Sequence, residues 1–522
     1  MALPLQSINL VAPGFKGVNT EDSPIGQDFS YAEIADNAVI DKRGRIASRK
    51  GVDLLTAVNT PLGSDYAVKL HYFYDDAGNE EIFVTGNNEI FKTTQTTNPN
   101  DTLTDLTTPI SYSPTADNWK IVNFNDKAYF FQRGHEPLVY DNATGLRTFG
   151  TATGTTTSAT LYCHEALAAY GRLWIVDNAA DTQRIYWSDL LIGTDFTGGS
   201  SGSIDVSKAW PDGYDEVRAL VAHNNNLIIL GKHSILVYAN AFSPAQMALA
   251  DTVAGVGCIC RNSVQHIGTD VLFVSDTGLR SFGRTIQEKS MPISDLSLNV
   301  KTEFISLLAT RAAPTASIYS PENSFYLITF PDQNTTYCFD LKTRLENGAY
   351  RVTVWTSAPF KSYERKTDGT LLIGTDDGVG KYSGYVDEYN DGGVIKSASY
   401  SFRYYSPSLT FGDPSKLKML KKLRPTLVGA NSSSVFIKWA YDFGTTYSTK
   451  EFTVGNQTPY YFNEAASEYT VAEFTGGDLT TRPTINTTGN GSVVTIGLES
   501  EINGFALSLQ EINVLALMGK TI

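Results

Sequence analysis

A chain of 522 residues, 42% hydrophobic and 11% aromatic but only 18% charged, has ample apolar surface to bury, which excludes a disordered polypeptide and allows two or three domains. Its 41 basic against 55 acidic residues leave a formal charge of −14, which argues against nucleic-acid binding by counterion displacement but is compatible with an acidic channel through which DNA slides. The four cysteines, Cys163, Cys258, Cys260 and Cys338, form no CxxC pair and stand near no His at zinc-like spacing, so neither a metal nor a disulfide framework is expected.

Residues Met1 to Phe15 carry no basic region ahead of an apolar stretch and no small-residue cleavage site. Nowhere do eighteen apolar residues run together, so the expectation is a chain made in the cytosol with no membrane contact. Ala38-Val39-Ile40 and Arg45-Ile46-Ala47, joined by Asp41 to Gly44, read as a hairpin without a sheet of its own.

A repeat follows. Its unit is an apolar strand, a polar turn, a very apolar strand, a second tight turn and a strand closing on an aromatic residue. The first copy runs from Val68 to Tyr74 through Ile82-Phe83-Val84 and the turn Asn87-Asn88 to Ile90-Phe91. The second uses Trp119 to Phe124, the turn Asn125-Asp126 and Ala128 to Phe131. The fourth is the cleanest, with Val217 to Ala222, Asn224 to Asn226, Leu227 to Leu230 and Ile235 to Tyr238. The first-turn residues Gly78, Asn125, Gly171, Asn225, Thr269, Glu322 and Gly369 lie 47, 46, 54, 44, 53 and 47 positions apart. Period two inside each unit and this spacing between units predict β-propeller blades and not a helical solenoid.

The fold expected is therefore all-β, a propeller of about seven blades over residues 1–395 with the N-terminal hairpin sealing the last blade, followed by a β-sandwich over 396–522. Counts of six and eight blades stay open. One helix is predicted within the ring region, from Ser294 to Leu308, where Leu296, Val300, Phe304 and Leu307 recur at helical spacing. Thr151 to Ser158 and Thr197 to Ser203 read as exposed loops, and Thr458 to Asn490 as a long loop suited to contact with a neighbour.

Lys416, Lys418, Lys421, Lys422 and Arg424 form the one basic run in an acidic chain. A phosphate site, a strand edge kept from aggregating, and a face meeting an acidic neighbouring subunit are the three readings, and the last is preferred, which makes these five the assembly candidates. No catalytic constellation stands out: there is no HExxH, GxSxG, P-loop or CxxC, and the six histidines scatter singly, each read as a turn or blade-edge residue. Ser275-Asp276-Thr277-Gly278 and Thr375-Asp376-Asp377-Gly378 lack the Trp of a sialidase-type Asp box and read as hairpin turns. Asp387 to Gly393 does not match the spacing of a helix-loop-helix calcium site. No cofactor, metal or enzymatic activity is expected.

Two stretches resemble a known group. Gly14-Phe15-Lys16-Gly17-Val18-Asn19, Ala35-Asp36-Asn37-Ala38-Val39-Ile40-Asp41 and Gly44-Arg45-Ile46-Ala47-Ser48-Arg49-Lys50-Gly51 resemble the opening of the stabilisation, tail tubular or nozzle proteins of short-tailed bacteriophages. Phe411-Gly412-Asp413-Pro414-Ser415-Lys416, followed by Lys421-Lys422-Leu423-Arg424, is similar to a segment after the propeller in the same group. The resemblance implies a homohexameric tube in the virion tail, assembled in the host cytoplasm below the portal and adaptor. It further implies genome retention, DNA ejection through the lumen without sequence-specific binding, and tail fibre or spike proteins as additional partners. A carbohydrate-binding or glycan-cleaving propeller is the alternative, distinguished as a sugar-binding monomer.

Overall fold

Tight turns set the architecture. Asn87 and Asn88, Asn125 and Asp126, and Asn224 and Asn225 all take positive φ, the conformation that a two-residue hairpin needs to match the twist of its strands. The computed structural model describes residues 5–11, 14–56, 60–93, 101–268, 270–288, 295–429, 433–454 and 480–521. Within them, consecutive strands fold into antiparallel sheets. The first is Lys69–Tyr74, Glu80–Gly86, Glu89–Thr93 and Leu103–Asp105; the second Lys120–Phe124, Lys127–Phe131, Leu138–Asp141 and Gly145–Thr148. The third is Cys163–Ala169, Arg172–Asn178, Arg184–Trp187 and Gly202–Asp205; the fourth Val217–His223, Asn226–Gly231, Ser234–Ala239 and Ala248–Ala254. The fifth has three strands, Gln265–Ile267, Asp270–Ser275 and Gly278–Ser281, and the sixth Ala316–Ser320, Phe325–Phe330, Thr335–Arg344 and Tyr350–Thr356.

The first strands of successive sheets lie side by side around one axis, and Ser362–Arg365 returns to Lys69–Tyr74, so the ring closes. Both faces of each sheet are buried against its neighbours. Phe73 and Phe83 pack on Trp119 and Phe130, Trp174 and Trp187 on Leu220 and Ile229, and Ile228 and Leu230 on Val271 and Phe273. The chain is thus all-β with a β-propeller, in which single sheets gain stability only from the ring.

Six blades are built from consecutive strands alone, against about seven expected. What stands between the sixth and the first is a composite sheet, Ser362–Arg365, Leu371–Thr375 and Gly378–Ser383, completed by the N-terminal strand Gly51–Leu54 and then by the hairpin Asp387–Asp391 with Val394–Ala398. Its closing strand is not the expected hairpin. Ala38–Ile40 and Ile46–Ser48 do pair with each other, but Ala47 and Ile46 then pair with Ser508 and Leu509 in a C-terminal sheet. Burial decides this: Ala38 and Ile46 enter the C-terminal core, whereas Val52 and Leu54 enter the cluster of Trp355 and Tyr382.

The C-terminal strands form two sheets over a common core. In one, Lys416–Gly429 lies between Leu507–Thr521 and the short strands Thr480–Thr481 and Ile485–Asn486, and Leu5–Leu10 pairs with Leu507–Thr521. The other extends the sixth blade: Ile34–Asp36 bridges Tyr350–Thr356 to Tyr400–Tyr405, followed by Val494–Ile502, Ser434–Tyr441 and Ser448–Thr453. Leu420, Leu423, Ile512 and Val514 of the first sheet meet Phe402, Val435, Ile437 and Ile496 of the second in one apolar cluster. Chain segments from both ends and from the ring thus share hydrogen-bonded sheets, with no linker between ring and C-terminal strands.

The predicted helix is shorter than expected. Leu298–Val300 is a 3-10 turn and Lys301–Thr310 the helix, with Ser294 outside the described residues. Leu296 is drawn into extended pairing, donating to the Leu279 carbonyl and accepting from the Tyr350 amide, so its part of the periodicity is spent on sheet contacts. Two short helices arise where none was predicted, Phe149–Thr153, which overlaps the expected loop at 151–158, and Phe282–Glu288. Asp387 to Asp391 is strand. Thr480–Thr481 and Ile485–Asn486 interrupt the expected long loop, whose residues 458–479 lie outside the described residues.

Candidate functional site

In a propeller the inner strands run the same way along the axis, so the residues that open them gather on one face. Asn118, His164, Arg218, Arg261 and Thr315 all sit at or just before the first strand of a blade, from the second to the sixth. With Arg133 in the turn after a second strand, Asp177 within one and Arg311 after the helix, they surround a pocket of about 400 Å³.

Four guanidinium groups line it, Arg133, Arg218, Arg261 and Arg311, against Asp177 as the only lining carboxylate. Arg133 is ion-paired to Asp177, and burial still holds the Asp177 carboxyl above its ordinary value. Arg261 is sunk among polar atoms: it donates to the carbonyls of His164 and, at 2.8 Å, Asn118, and lies 3.8 Å from Glu165. Burial pulls its pKa down. Lys120 reaches the same Glu165 at 3.0 Å. Arg311 donates to the carbonyls of Leu308 and Ile259, and no carboxylate among the described residues lies within ion-pair distance of it. Burial, with Arg261 and Arg133 nearby, pushes the His164 pKa far down and keeps the ring neutral. Four buried polar atoms here have no hydrogen-bond partner among the described residues: Gln132 Oε1, His164 Nδ1, Glu165 Oε2 and Arg218 Nε.

A second group of ionisable side chains lies on the inner strands Lys69–Tyr74 and Ser362–Arg365. His71 Nε2 lies 2.7 Å from Asn123 Oδ1, and His71 Nδ1 3.9 Å from Glu364. Burial lowers the His71 pKa to about 4, raises that of Glu364 to about 7 and lowers that of Lys69. Each lone His is expected at a turn or blade edge; His71, His164 and His266 lie on inner strands, while His223 ends one at the turn Asn224-Asn225. The signal was present in the repeat, because the first strand of almost every copy opens with ionisable residues: Lys69, Lys120, His164-Glu165, Arg218, His266 and Glu364.

The five assembly candidates share one strand, Lys416–Gly429, but not one surface. Lys416 pairs with Asp413 at 2.9 Å. Lys418 is buried, its ammonium held by the carbonyls of Asp413 and, at 2.8 Å, Ser492, so it is no contact residue. Lys421 and Lys422 are exposed together where the register with Leu507–Thr521 shifts, and that bulge is why two neighbours both face water. Arg424 is half-buried and its Nε has no partner among the described residues. All four cysteines are free and buried, and the described residues hold no His, Cys, Asp and Glu group fit for a metal ion.

No family model and no curated protein matches the chain. Among solved structures it is similar to the WD40 β-propeller domain of Doa1 (TM-score 0.38, 10% identity, 64% of this chain and 96% of that one) and to the Neurospora crassa Pan2 WD40 domain (0.39, 8%, 64% and 95%). It is also similar to the BT4673 extracellular domain from B. thetaiotaomicron (0.42, 11%, 85% of this chain and 61% of that one). At these values the likeness carries no argument, and the propeller is read from the strand pairing itself.

Proposed function

We propose that the chain is a structural subunit of a short phage tail, one of six copies forming a nozzle below the portal and adaptor that retains the genome and passes DNA during ejection. In this reading the composite sheet counts as a seventh blade and the two C-terminal sheets form a β-sandwich. The observation that carries it is where the nozzle-like residues fall. Those of 14–19, 35–41 and 44–51 are the joint between ring and C-terminal sheets: Phe15 meets Tyr404 edge-on, Asp36 accepts from Arg403 and Thr356, Asn37 donates to the Ser401 carbonyl, and Arg49 pairs with Asp387. A tube wall under internal pressure needs such a joint, because two bodies that hinge cannot keep a ring of fixed bore.

The propeller's own axis does not serve as the DNA path in this reading. The lumen lies between copies, where an acidic chain repels phosphate. Lys421 and Lys422 are the exposed cations suited to meet an acidic neighbouring copy, and the adaptor and tail fibres or spikes are the other partners. The chain acts without catalysis. Electron microscopy of intact phage particles with antibody raised against this chain tests the reading: label at the tail is expected, and label confined elsewhere would overturn it.

A further inference from the structure

The axial pocket has no part in a nozzle wall, yet it is built as a binding site. Five blades supply its residues, so its shape depends on the closed ring. Four arginines face one lining carboxylate in a chain of net charge −14, a local inversion of sign. Of the four, Arg311 alone has no carboxylate within ion-pair distance among the described residues. Arg133 is neutralised by Asp177, and Glu165 is shared between Lys120 and Arg261. Arg311 spends its donors on neutral carbonyls. Arg218 pairs outward with Glu216, whose side chain is half-exposed, while its buried Nε is left without an acceptor.

A buried guanidinium N–H without an acceptor is costly, and an oxyanion, whether a planar carboxylate or a tetrahedral phosphate, can satisfy such donors two at a time. We propose that the mouth of the propeller axis binds the oxyanion group of a small solute, a carboxylate or a phosphate, between Arg218, Arg311 and Arg133. Its neutral part lies against Val217, Ile259 and Pro314, which supply the apolar wall. Neutral His164, with Nδ1 unpartnered, and Asn262 add polar contacts without adding charge. A cavity of about 400 Å³ suits a small organic anion, and a duplex backbone is too wide to enter it.

Calorimetric titration of the purified full chain tests this with two probes, inorganic phosphate and D-glucuronate, at fixed ionic strength. Saturable binding of either probe is expected, and the tighter one assigns the source of the oxyanion. In R218Q affinity falls about tenfold, the loss of one charge-assisted pair, while circular dichroism and Tm hold, because Glu216 is left facing water. Arg133→Gln is the second variant, should R218Q not fold, and K421Q, on the distant strand, is the control. The proposal is overturned if neither probe gives saturable heat, if chloride competes as well as phosphate, if K421Q weakens binding as much as R218Q, or if only an oligonucleotide binds.

Discussion

Arg49 and Asp387 are 338 residues apart and joined by two parallel hydrogen bonds, Nη1 to Oδ1 at 2.9 Å and Nη2 to Oδ2 at 2.7 Å. The guanidinium is fully buried and stacks on Tyr400 at 3.9 Å and over Phe360 at 5.0 Å, while its Nε donates to Asn37. One side chain thus ties the N-terminal segment, the composite sheet and the C-terminal sheets. Removing it strands a buried carboxylate, so Arg49→Ala is expected to lower stability by about 3–5 kcal/mol. Arg49→Lys recovers less than half, because an ammonium neither bridges both oxygens nor stacks. Guanidinium denaturation of the three proteins measures both effects.

Gly51 and Gly14 both lie in nozzle-like segments, but only one is sterically required. A Cβ at Gly51 would stand 1.7 Å from the Val386 carbonyl oxygen, just before the strand Asp387–Asp391, whereas a Cβ at Gly14 meets nothing within 4 Å. Gly51→Ala is expected to cost about 1–3 kcal/mol through backbone displacement, and Gly14→Ala to be neutral. Thermal melts of both variants check the contrast.

His71 and Glu364 titrate against each other. Burial holds Glu364 at about 7, above its ordinary value, so the folded state keeps a proton that the unfolded chain has lost, and this stability disappears as pH rises from about 4.5 through 7. Burial holds His71 at about 4, so the unfolded chain takes a proton the folded state refuses, and stability disappears as pH falls from 6.5 through 4. Across the shared range the two slopes oppose. Relative to the parent, Glu364→Gln should gain stability as pH rises from 5 to 7, and His71→Gln should gain it as pH falls over the same range. Denaturant midpoints at four pH values decide, and equal slopes in all three proteins would refute the two burial shifts.

The blades were legible because alternation and turn chemistry are local: Asn125-Asp126 and Asn224-Asn225 specify a hairpin whatever surrounds them. The joint was not. Ile46 and Val52 are equally apolar, and only the three-dimensional cores decide that one joins Leu509 and the other Tyr382. The differing burial along the lysine run was not legible for a related reason. Alternation along the strand would have set Lys416, Lys418 and Lys422 on one face, but the irregular register with Leu507–Thr521 buries Lys418 and exposes Lys421 beside Lys422. Axial pocket residues come from five blades, and sequence distance hides such convergence unless each copy's first strand is compared.

The cysteines give a test of packing independent of function. Cys163, Cys258, Cys260 and Cys338 are free and buried, and burial raises each thiol pKa, that of Cys258 to about 12. Thiolate, the reactive form, is therefore scarce. No thiol is expected to react with a chromogenic disulfide in the native protein, and all four in denaturant. A fast-reacting thiol under native conditions would contradict the closed ring.

Lys418 and the pair Lys421 and Lys422 separate folding from assembly. Lys418 holds two carbonyls from a buried position, so Lys418→Ala is expected to lower stability by about 1–3 kcal/mol by leaving acceptors unsatisfied. Lys421 and Lys422 face water, so reversing both to Glu should shift Tm by no more than about 1–2 °C, the effect of a surface change. If the exposed pair meets an acidic neighbour, the double reversal should nonetheless block incorporation into particles, because like charges then oppose across the contact. Complementation of a phage lacking this chain, with particle composition read by gel and microscopy, would then show K418A subunits incorporated at reduced yield and the double variant soluble but excluded. Normal incorporation of the double variant would remove these lysines from the interface.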